Sequence, residues 1–409
     1  MHSLIRKVAA CLCFIFCAVW YGHIYFYRDP GSVFFDKTRA YEQRYSQYRK
    51  AEVEQFITGL EPHDGYGKAG PNATLCIGIS SVKRQHSQYL KTTVGSLLHG
   101  LTAEERADLF VSVLIAETDP EKHPSWSQDA WMSKTVDDMH NYNVSAQEKQ
   151  YLQGLEETAS FSEKGIYDYV HVLRQCYETG TPYIGIFEDD IMLAKGWLIR
   201  TLLGVQQISS SDPGQWLLMR LFNQERSTGW ASRSIGGNNE HWISIAIGLC
   251  ITVPVLLLRR QWPWARTHLN LGTLGVVALI LNPVLVVSFF QSGKASLLPP
   301  SPGVFNEPFG CCSQAMIFPR TEVPSLMEYL QAKKQGQVDL LLNDLAREAG
   351  LTRYALYPVQ AQHIGLDSSR MTEAQEAQAI WSMAYEDLDP VALERYHQRM
   401  TKKYYSSLV

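Results

Sequence analysis

The sequence predicts an α/β domain with a mainly parallel sheet, interrupted by an apolar hairpin and preceded by an apolar N-terminal segment. Three observations lead to this prediction. Short apolar runs of strand length alternate with helical patterns, two uncharged stretches follow each other in mid-chain, and another apolar run lies near the N-terminus. Alternating strands and helices are typical of layered α/β domains. Polar sequence flanks the hairpin on both sides, so we expect the two flanking parts to build one domain.

The N-terminal apolar segment, residues 8–27, follows a short tail at residues 1–7 that contains Arg6 and Lys7. A cleaved signal peptide is one interpretation, but the apolar run is long and no small-residue cleavage site follows it. We therefore expect an uncleaved signal anchor, with the basic tail in the cytosol. Residues 28–74 would then form a stem.

Two uncharged stretches, residues 242–258 and 269–290, flank a basic turn at residues 259–268. A helix needs roughly 20 apolar residues to cross a bilayer core, and flanking arginines can extend a shorter stretch to the surface. A buried hairpin in a soluble core is the alternative, although core helices normally keep a polar face. We expect two transmembrane helices joined by a cytosolic turn. Residues 75–241 and 291–409 would then both lie in the lumen.

Composition argues against two classes of function. The 409-residue chain has a formal net charge of −4, and no segment is basic enough to indicate a nucleic-acid partner. The three apolar segments contain no Asp, Glu, Lys or Arg, which argues against an ion-coupled transporter. Two sequons, which begin at Asn72 and Asn143, fall in the part expected to be lumenal.

Of the 8 cysteines, those expected in the lumen are disulfide candidates: Cys76, Cys176, Cys311 and Cys312. The sequence leaves their pairing open, and adjacent cysteines such as the last two are more often not bonded to each other. It contains no C-x-x-C pair, which argues against a structural zinc site.

The lumenal parts alternate strand and helix patterns. Apolar runs predict strands at residues 75–80, 109–116, 183–187, 216–222 and 309–318, with a strand or loop at 357–365. Helical patterns lie at residues 32–58, 89–101, 145–157, 163–178, 321–333, 338–349 and 373–406. Ligands of such sheets bind beyond the carboxyl ends of the strands. Several of these ends carry charges: Lys83 and Arg84, Glu117 and Asp119, Glu188 and Asp190.

The sharpest chemical signal is Glu188-Asp189-Asp190, directly after an apolar strand. Because side chains alternate along a strand, Glu188 and Asp190 would point to the same side and could hold one divalent ion. Hard oxygen ligands suit Mn²⁺ or Mg²⁺, and such an ion stabilises a nucleotide diphosphate leaving group as a Lewis acid. A solvated acidic turn is the alternative interpretation.

Together these features resemble the Golgi GT-A (Rossmann-like) glycosyltransferases, and more closely the GPI–N-acetylgalactosamine transferase family (post-GPI attachment to proteins factor 4), in which a tandem hairpin is inserted into the GT-A domain. The resemblance covers essentially the whole chain. It rests on the anchor, the hairpin and these strings: Ile79-Ser-Ser-Val-Lys-Arg84, Ala116-Glu-Thr-Asp119, Phe187-Glu-Asp-Asp190, Asn306-Glu-Pro-Phe-Gly-Cys-Cys-Ser-Gln-Ala315 and Gln362-His-Ile-Gly365. Similar strings occur in the N-glycan branching N-acetylglucosaminyltransferases, which lack the hairpin.

The resemblance implies an inverting transfer of N-acetylgalactosamine from UDP-GalNAc to the first mannose of the GPI-anchor glycan, with GPI-anchored proteins as acceptors. The enzyme would be a three-span Golgi membrane protein with a lumenal catalytic domain. Asp190 would bind Mn²⁺ or Mg²⁺, and Glu188 would contribute to the metal or the nucleotide. The resemblance also implies binding roles for further residues: Val82, Lys83 and Arg84 near the nucleotide, Ser313 and Gln314 in the sugar pocket.

Two further roles are open. His363 is a candidate metal or diphosphate ligand, since many GT-A enzymes supply a histidine from this late segment. The alternative is a histidine that only packs in the fold. Inverting transfer needs a general base for the acceptor hydroxyl. Our candidate is Asp339, at a predicted helix start, where helix capping is the alternative role. Glu307 and Glu225 compete with it.

Two other functions are compatible with the sequence. One is a GT-A N-acetylglucosaminyltransferase that acts on N-glycans, and the other is a non-catalytic membrane adaptor with a degenerate transferase domain. Binding of UDP and Mn²⁺ would separate the enzymes from the adaptor. The donor sugar depends on the placement of a few hydrogen bonds, which the sequence does not reveal.

Overall fold

The structure is a computed structural model, and it describes residues 2–60, 67–211, 214–225, 239–307, 310–366 and 380–407. The chain divides into two compact units. The helical unit comprises Met1–Glu42 and Glu225–Pro300, and the sheet unit comprises Gln43–Gln224 and Ser301–Val409. The sheet unit is therefore assembled from chain on both sides of the apolar hairpin.

Three helices of the helical unit are long and apolar enough to cross a membrane: Leu4–Tyr25, Glu240–Gln261 and Leu271–Gln291. The first belongs to the helix His2–Tyr25, and the third consists of Leu271–Val276, a π-helical turn at Val277–Leu281, and Asn282–Gln291. The described residues of this unit also form three shorter helices: Lys37–Ala40, Pro263–His268 and Lys294–Leu297. Membrane crossing, and the side on which each end lies, stay predictions.

A side-chain hydrogen bond joins the two helices of the hairpin. Asn282 Nδ2 donates to the carbonyl oxygen of Ser244 at 2.7 Å, and a Cβ at Gly248 would lie 3.4 Å from the same nitrogen. Small residues let helix backbones approach closely, and an interhelical hydrogen bond between apolar helices contributes about 1 kcal/mol. The pair therefore fixes the register of the hairpin.

Asp29 joins the segment after the first helix to the segment after the third. Its carboxylate accepts hydrogen bonds from the backbone N–H of Gly31 at 2.7 Å and of Ser296 at 2.8 Å. Gly293 has a φ of 90°, and a Cβ there would lie 2.2 Å from Asp29 Oδ2. Glycine is required at this position because both the backbone conformation and the space exclude a side chain.

The sheet unit contains ten strands among the residues that the structure describes: β1 Leu75–Ser81, β2 Leu109–Ile115, β3 Asp138–His140, β4 Tyr183–Phe187, β5 Ile191–Leu193, β6 Trp216–Arg220, β7 Gly303–Asn306, β8 Ala315–Pro319, β9 Thr352–Tyr357 and β10 Ala361–His363. Eight of them form one sheet in the order β3-β2-β1-β4-β8-β6-β9-β7, and β10 pairs with β5. The strand β6 precedes the hairpin, and its two partners, β8 and β9, follow it. Hydrogen bonds of the sheet therefore join the segments on the two sides of the hairpin.

Helices cover both faces of this sheet: Tyr45–Gly59, Leu90–Leu98, Ala103–Ala107, Pro124–Gln128, Ala130–Thr135, Ala146–Glu157, Phe161–Glu178, Trp197–Ser211, Val323–Lys333, Val338–Ala349, Met383–Glu386 and Pro390–Ser406. Side chains of β1 alternate between two cores. Ile77 and Ile79 belong to the core that includes Leu90 and Trp197, whereas Cys76 belongs to the core of the opposite face. Burial of one such aliphatic side chain stabilises the fold by about 1.5–3 kcal/mol.

A disulfide bond links Cys76 in β1 to Cys176 in the helix Phe161–Glu178, across a separation of 100 residues. Closing a loop of this length restricts the unfolded chain, which stabilises the fold by about 4–5 kcal/mol in the chain-entropy description. The bond therefore fastens the central strand to a covering helix.

The predicted α/β class with a mainly parallel sheet is confirmed: six of the eight strands of the main sheet run in one direction, and β7 and β8 run antiparallel to their neighbours. The strand predicted at residues 309–318 is shorter than expected and begins at Ala315. Its predicted first half contains the adjacent Cys311–Cys312 disulfide, and residues 310–314 form a loop.

Two predicted helices are interrupted. The helix expected at residues 32–58 is divided because Glu386 accepts hydrogen bonds from the backbone N–H of Arg44 at 2.7 Å and of Ser46 at 3.1 Å. The tail predicted as one helix at 373–406 lies partly outside the described residues. Its described part contains Met383–Glu386 and a new helix at Pro390, which begins there because Asp389 caps it.

Candidate active site

The acidic motif lies at the carboxyl edge of the sheet. The strands β1, β2 and β4 run parallel, so their carboxyl ends meet at one edge. The strand β8 runs antiparallel to β4 and begins at the same edge, where Ala315 pairs with Phe187. The loop at residues 310–314 therefore lies beside Glu188.

Three side chains converge at this edge. The ligand atoms of Glu188, Asp190 and His363 all lie within 4.8 Å of one another. His363 arrives on β10, whose antiparallel pairing with β5 places it opposite Ile191. Its Nε2 lies 3.5 Å from Asp190 Oδ2. The sequence pattern predicted this convergence for the two acids, and for His363 it left a ligand role and a packing role open.

The close packing around Asp190 depends on a glycine. A Cβ at Gly365 would lie 2.1 Å from Asp190 Oδ2, so only glycine lets the chain after β10 pass against the carboxylate. The backbone N–H of Ile364 also donates to the carbonyl oxygen of Asp190 at 2.8 Å. Within the described part of the chain, the buried Oδ1 of Asp190 accepts no hydrogen bond. A buried acceptor without a partner costs about 1–3 kcal/mol, which suits an atom that coordinates a cation.

The donor set fits a divalent ion of the Mn²⁺ or Mg²⁺ type, because two carboxylates and one imidazole supply oxygen and nitrogen ligands. Burial opposes ionisation of Asp190, but His363 and Arg84 outweigh it and hold its pKa at about 2. Burial would lower the pKa of His363, but Asp190 outweighs burial and raises it. The carboxylate of Asp190 is therefore ionised throughout the physiological range.

Asp189 is not part of this cluster, and it shares the guanidinium of Arg84 with Asp190. Burial, only partly offset by Arg84, raises the pKa of Asp189. Its carboxylate accepts hydrogen bonds from Arg84 and from the hydroxyl of Ser81. The Ser81 hydroxyl in turn lies 3.1 Å from Nε2 of His123, whose pKa burial lowers to about 4. Since Nδ1 of His123 accepts from the backbone N–H of Ser125, the neutral ring donates through Nε2 to Ser81.

Sequence reasoning missed Ser81 and His123 as supporting residues. Ser81 lies in the string that carries the family resemblance, whereas His123 follows the second strand without any recognisable motif. Arg84 was expected near the nucleotide. It is buried, and one of its guanidinium nitrogens lies 3.0 Å from Asp190 Oδ2. The guanidinium therefore neutralises part of the acidic strand end.

The neighbouring residues Val82 and Lys83 hold the ends of β1 and β2 together. The backbone N–H of Lys83 donates to Glu117 Oε1 at 2.8 Å, and burial raises the pKa of Glu117. Val82 packs against the apolar core of that face. The backbone of the two strand ends is thus fixed where we expect a nucleotide to bind.

The loop before β8 is bonded directly to the acidic motif. Ser313 Oγ donates to Glu188 Oε1 at 2.5 Å, and the Glu188 N–H donates to the carbonyl oxygen of Gln314 at 2.9 Å. The Gln314 side chain is buried, and its Oε1 has no hydrogen-bond partner among the residues that the structure describes. The disulfide between Cys311 and Cys312 stiffens the same loop.

Asp339 lies close to this loop. Gln337 occupies the N-cap position of the helix Val338–Ala349, so Asp339 is in the first turn and is not the cap. One of its carboxylate oxygens lies within 4.8 Å of the sulfur atoms of Cys311 and Cys312. Since the two sulfurs are bonded to each other, this second group is not a metal-binding cluster.

The competing glutamates are both buried. Glu307 is 3 % exposed, and its Oε2 lies 3.8 Å from Nη1 of Arg220. A Cβ at Gly310 would lie 2.3 Å from that Oε2, so the loop passes directly over the carboxylate. Burial raises the pKa of Glu307 to about 7. Glu225 is 9 % exposed and is the last described residue before residue 239.

One family model matches most of the chain. Residues 75–360 match the family model described as "GPI-N-acetylgalactosamine transferase PGAP4". The matched segment contains the strands β1 to β9, the hairpin and Asp190, and it ends before His363.

Curated relatives match a smaller region. The bovine alpha-1,3-mannosyl-glycoprotein 4-beta-N-acetylglucosaminyltransferase A is 28 % identical over 183 residues, which is 42 % of this chain and 34 % of the relative. The mouse B form is 25 % identical over 173 residues, 40 % of this chain and 31 % of the relative. The chain thus matches about a third of the length of these relatives. Among solved structures, the apo form of mouse xyloside xylosyltransferase 1 is 11 % identical to this chain. The match covers 76 % of this chain and 82 % of the xylosyltransferase, and its TM-score of 0.29 is too low to support an inference.

The buried Glu307 predicts a pH-dependent stability. Its pKa rises from an ordinary 4.5 to about 7, so the folded state binds more protons than the unfolded state between these values. Stability therefore falls as pH rises from 4.5 to 7, by on the order of 3 kcal/mol for this group. Glu307→Gln should remove this loss, so the melting temperature of the variant relative to wild type should increase over the same interval. A difference that is constant across the interval would contradict the assignment.

Proposed function

The chain belongs to the GPI-N-acetylgalactosamine transferase family, and we propose that it is an inverting glycosyltransferase that transfers N-acetylgalactosamine from UDP-GalNAc to the first mannose of the GPI-anchor glycan. The observation that carries the proposal is the convergence of Glu188, Asp190 and His363 at the carboxyl edge of the sheet. In open α/β sheets, ligands bind at this edge. GPI-anchored proteins in the Golgi lumen would be the acceptors.

Glu188, Asp190 and His363 would hold Mn²⁺ or Mg²⁺, which supplies Lewis-acid stabilisation of the departing UDP. The chain's own residues do the remaining work. Arg84 and Ser81 keep Asp189 paired, which holds the end of the strand rigid next to the candidate metal ligands. Ser313 holds Glu188 through a hydrogen bond of 2.5 Å and so links the loop before β8 to the same site.

Asp339 would act as the general base. In an inverting transfer, the acceptor hydroxyl oxygen attacks C1 of the sugar while the bond from C1 to the β-phosphate oxygen breaks on the opposite face. The hydroxyl proton passes to the Asp339 carboxylate. Asp339 suits this role better than Glu307, because Asp339 is half-buried and Glu307 is covered by the chain at Gly310. A positioned base of this kind contributes about 10²–10⁴ to the rate.

The apolar helices have a physical purpose in this proposal. A GPI glycan sits close to the lipid surface, to which its inositol phospholipid anchors it. Helices that cross the membrane before and within the catalytic domain would keep the acceptor and the cleft at the same height. That restriction raises the effective concentration of the acceptor.

A second candidate keeps the chemistry and changes the substrates. The matched relatives are named as 4-beta-N-acetylglucosaminyltransferases, and this favours an N-acetylglucosamine donor and an N-glycan acceptor as the alternative. The apolar hairpin favours the GPI acceptor instead. A non-catalytic adaptor is disfavoured, because three candidate metal ligands converge at the acidic motif.

Substitution of a candidate metal ligand tests the proposed transfer. Asp190→Asn should abolish addition of N-acetylhexosamine to the GPI core in cells that lack the endogenous activity, because the variant removes one charge from the metal set. Wild type should add that mass, which mass spectrometry of released GPI glycans measures. Asp344→Asn is the control, since Asp344 is a half-buried aspartate whose ion pair, among the residues that the structure describes, is with Arg347. Sugar analysis of the product separates galactosamine from glucosamine, and full transfer by Asp190→Asn would contradict the proposal.

Substitution of Asp339 tests its role as the general base. Asp339→Asn should lower kcat of the purified protein by about 10²–10⁴ and leave binding of UDP and Mn²⁺ unchanged, because the amide cannot accept the acceptor proton. Asp344→Asn on the same helix should retain wild-type turnover. If Asp339→Asn also retains it, the base lies elsewhere, and Glu307→Gln and Glu225→Gln are the next variants to measure.

A further inference from the structure

A groove runs along the helix Phe161–Glu178, on a face that contains none of the candidate active-site residues. Its volume is about 310 Å³. The helices Ala146–Glu157 and Val323–Lys333 supply its other walls, and the transfer chemistry proposed above makes no use of it.

Aromatic rings form the floor of the groove. Tyr167 and His171 stack with ring centroids 6.2 Å apart and an interplanar angle of 21°, and Tyr151 lies 6.5 Å from Tyr167. Burial, together with nearby His140 and Arg174, lowers the pKa of His171 to about 4, so its ring is uncharged at neutral pH. Three aromatic side chains, Tyr151, Tyr167 and His171, therefore line the groove, and the His171 ring among them is uncharged.

Polar groups surround this aromatic floor. Tyr151 Oη donates to Glu163 Oε1 at 2.8 Å. Arg174 is exposed, and none of the carboxylates that the structure describes forms an ion pair with it. The C–H face of a pyranose ring packs well on the electron-rich face of an aromatic ring. Hydroxyl groups at the ring edge are matched by carboxylate and guanidinium partners. The chemistry of the groove thus suits sugar rings.

An N-glycosylation sequon lies next to residues that contact the groove lining. Asn143 is exposed and begins the sequon Asn143-Val-Ser145. The residue before it, Tyr142, has its ring 5.7 Å from that of His171 and 6.1 Å from that of Tyr167. Two residues after it, Ser145 caps the helix Ala146–Glu157 through Glu148, which lines the groove. The chain on both sides of Asn143 therefore contacts the groove walls.

We propose that Asn143 carries an N-glycan whose first sugar rings pack into this groove. The proposal rests on the lumenal placement that the proposed function also assumes. Asn72, in the other sequon, is exposed too, but it precedes β1 and has no residue of the groove beside it. It provides an internal comparison on the same chain.

The test uses the full chain, purified in mild detergent from eukaryotic cells. Native digestion with a peptide N-glycosidase is followed at each sequon by mass spectrometry, since release converts Asn to Asp. Release at Asn143 should be about tenfold slower than at Asn72, because the packed rings must first leave the groove. Tyr151→Ser and, separately, Arg174→Ser should each bring the Asn143 rate towards that of Asn72.

Tyr48→Ser is the matched control for the tyrosine variant. Tyr48 is 47 % exposed, against 45 % for Tyr151, and its hydroxyl likewise bonds a glutamate, Glu52. This control should leave the slow release at Asn143 unchanged.

Three results would overturn the proposal. Equal release rates at Asn143 and Asn72, or slow release at Asn143 that neither groove variant changes, would show that the glycan does not use the groove. A glycan on Asn72 but none on Asn143 would overturn only this inference. A chain without glycan at either position would also overturn this inference, whereas the GPI-glycan assay reads the transferase activity independently.

Discussion

Three consecutive carboxylates at the end of a buried strand repel one another, and much of the sheet unit is arranged to hold them. Two of them, Asp189 and Asp190, share the guanidinium of Arg84, whereas Glu188 is held by Ser313 and by the backbone of Gln314. Charges this close and this poorly solvated persist only when counter-charges and hydrogen bonds are supplied. The surroundings satisfy most of the carboxylate oxygens and leave Asp190 Oδ1 without a hydrogen bond in the described chain. A bound cation would complete the arrangement.

Within the sheet, the strand before the hairpin ends and the strand after it begins at the same edge. The strand β6 ends at Arg220, and β7 begins at Gly303, which pairs with Tyr357 at the carboxyl end of β9. An insertion at this point leaves the pairing of β6 with β8 and β9 intact. The core and the acidic motif therefore tolerate a long insertion in the connection, since the cost of closing a loop grows slowly with its length.

The strongest local patterns predicted the structure best. The apolar runs at 75–80, 109–116 and 183–187 formed β1, β2 and β4, because strands buried on both faces read as continuous apolar segments. The strand β3, only three residues long and half-buried, has no such pattern. The convergence of Glu188 and Asp190 followed from alternation along a strand, which is local. The partnership of Cys76 with Cys176 and the support of Asp189 by Ser81 and His123 depend on contacts between distant segments, which one sequence does not specify.

The central claim is that Glu188, Asp190 and His363 hold one divalent ion together with the diphosphate of the donor. Pulsed electron paramagnetic resonance of Mn²⁺ bound to the purified protein with UDP measures this directly. The account predicts a ¹⁴N coupling from the His363 imidazole, absent in His363→Ala, and ³¹P couplings from UDP in the same spectrum. Bound Mn²⁺ that shows ³¹P couplings without any ¹⁴N coupling, or no UDP-dependent binding of Mn²⁺ at all, would contradict it.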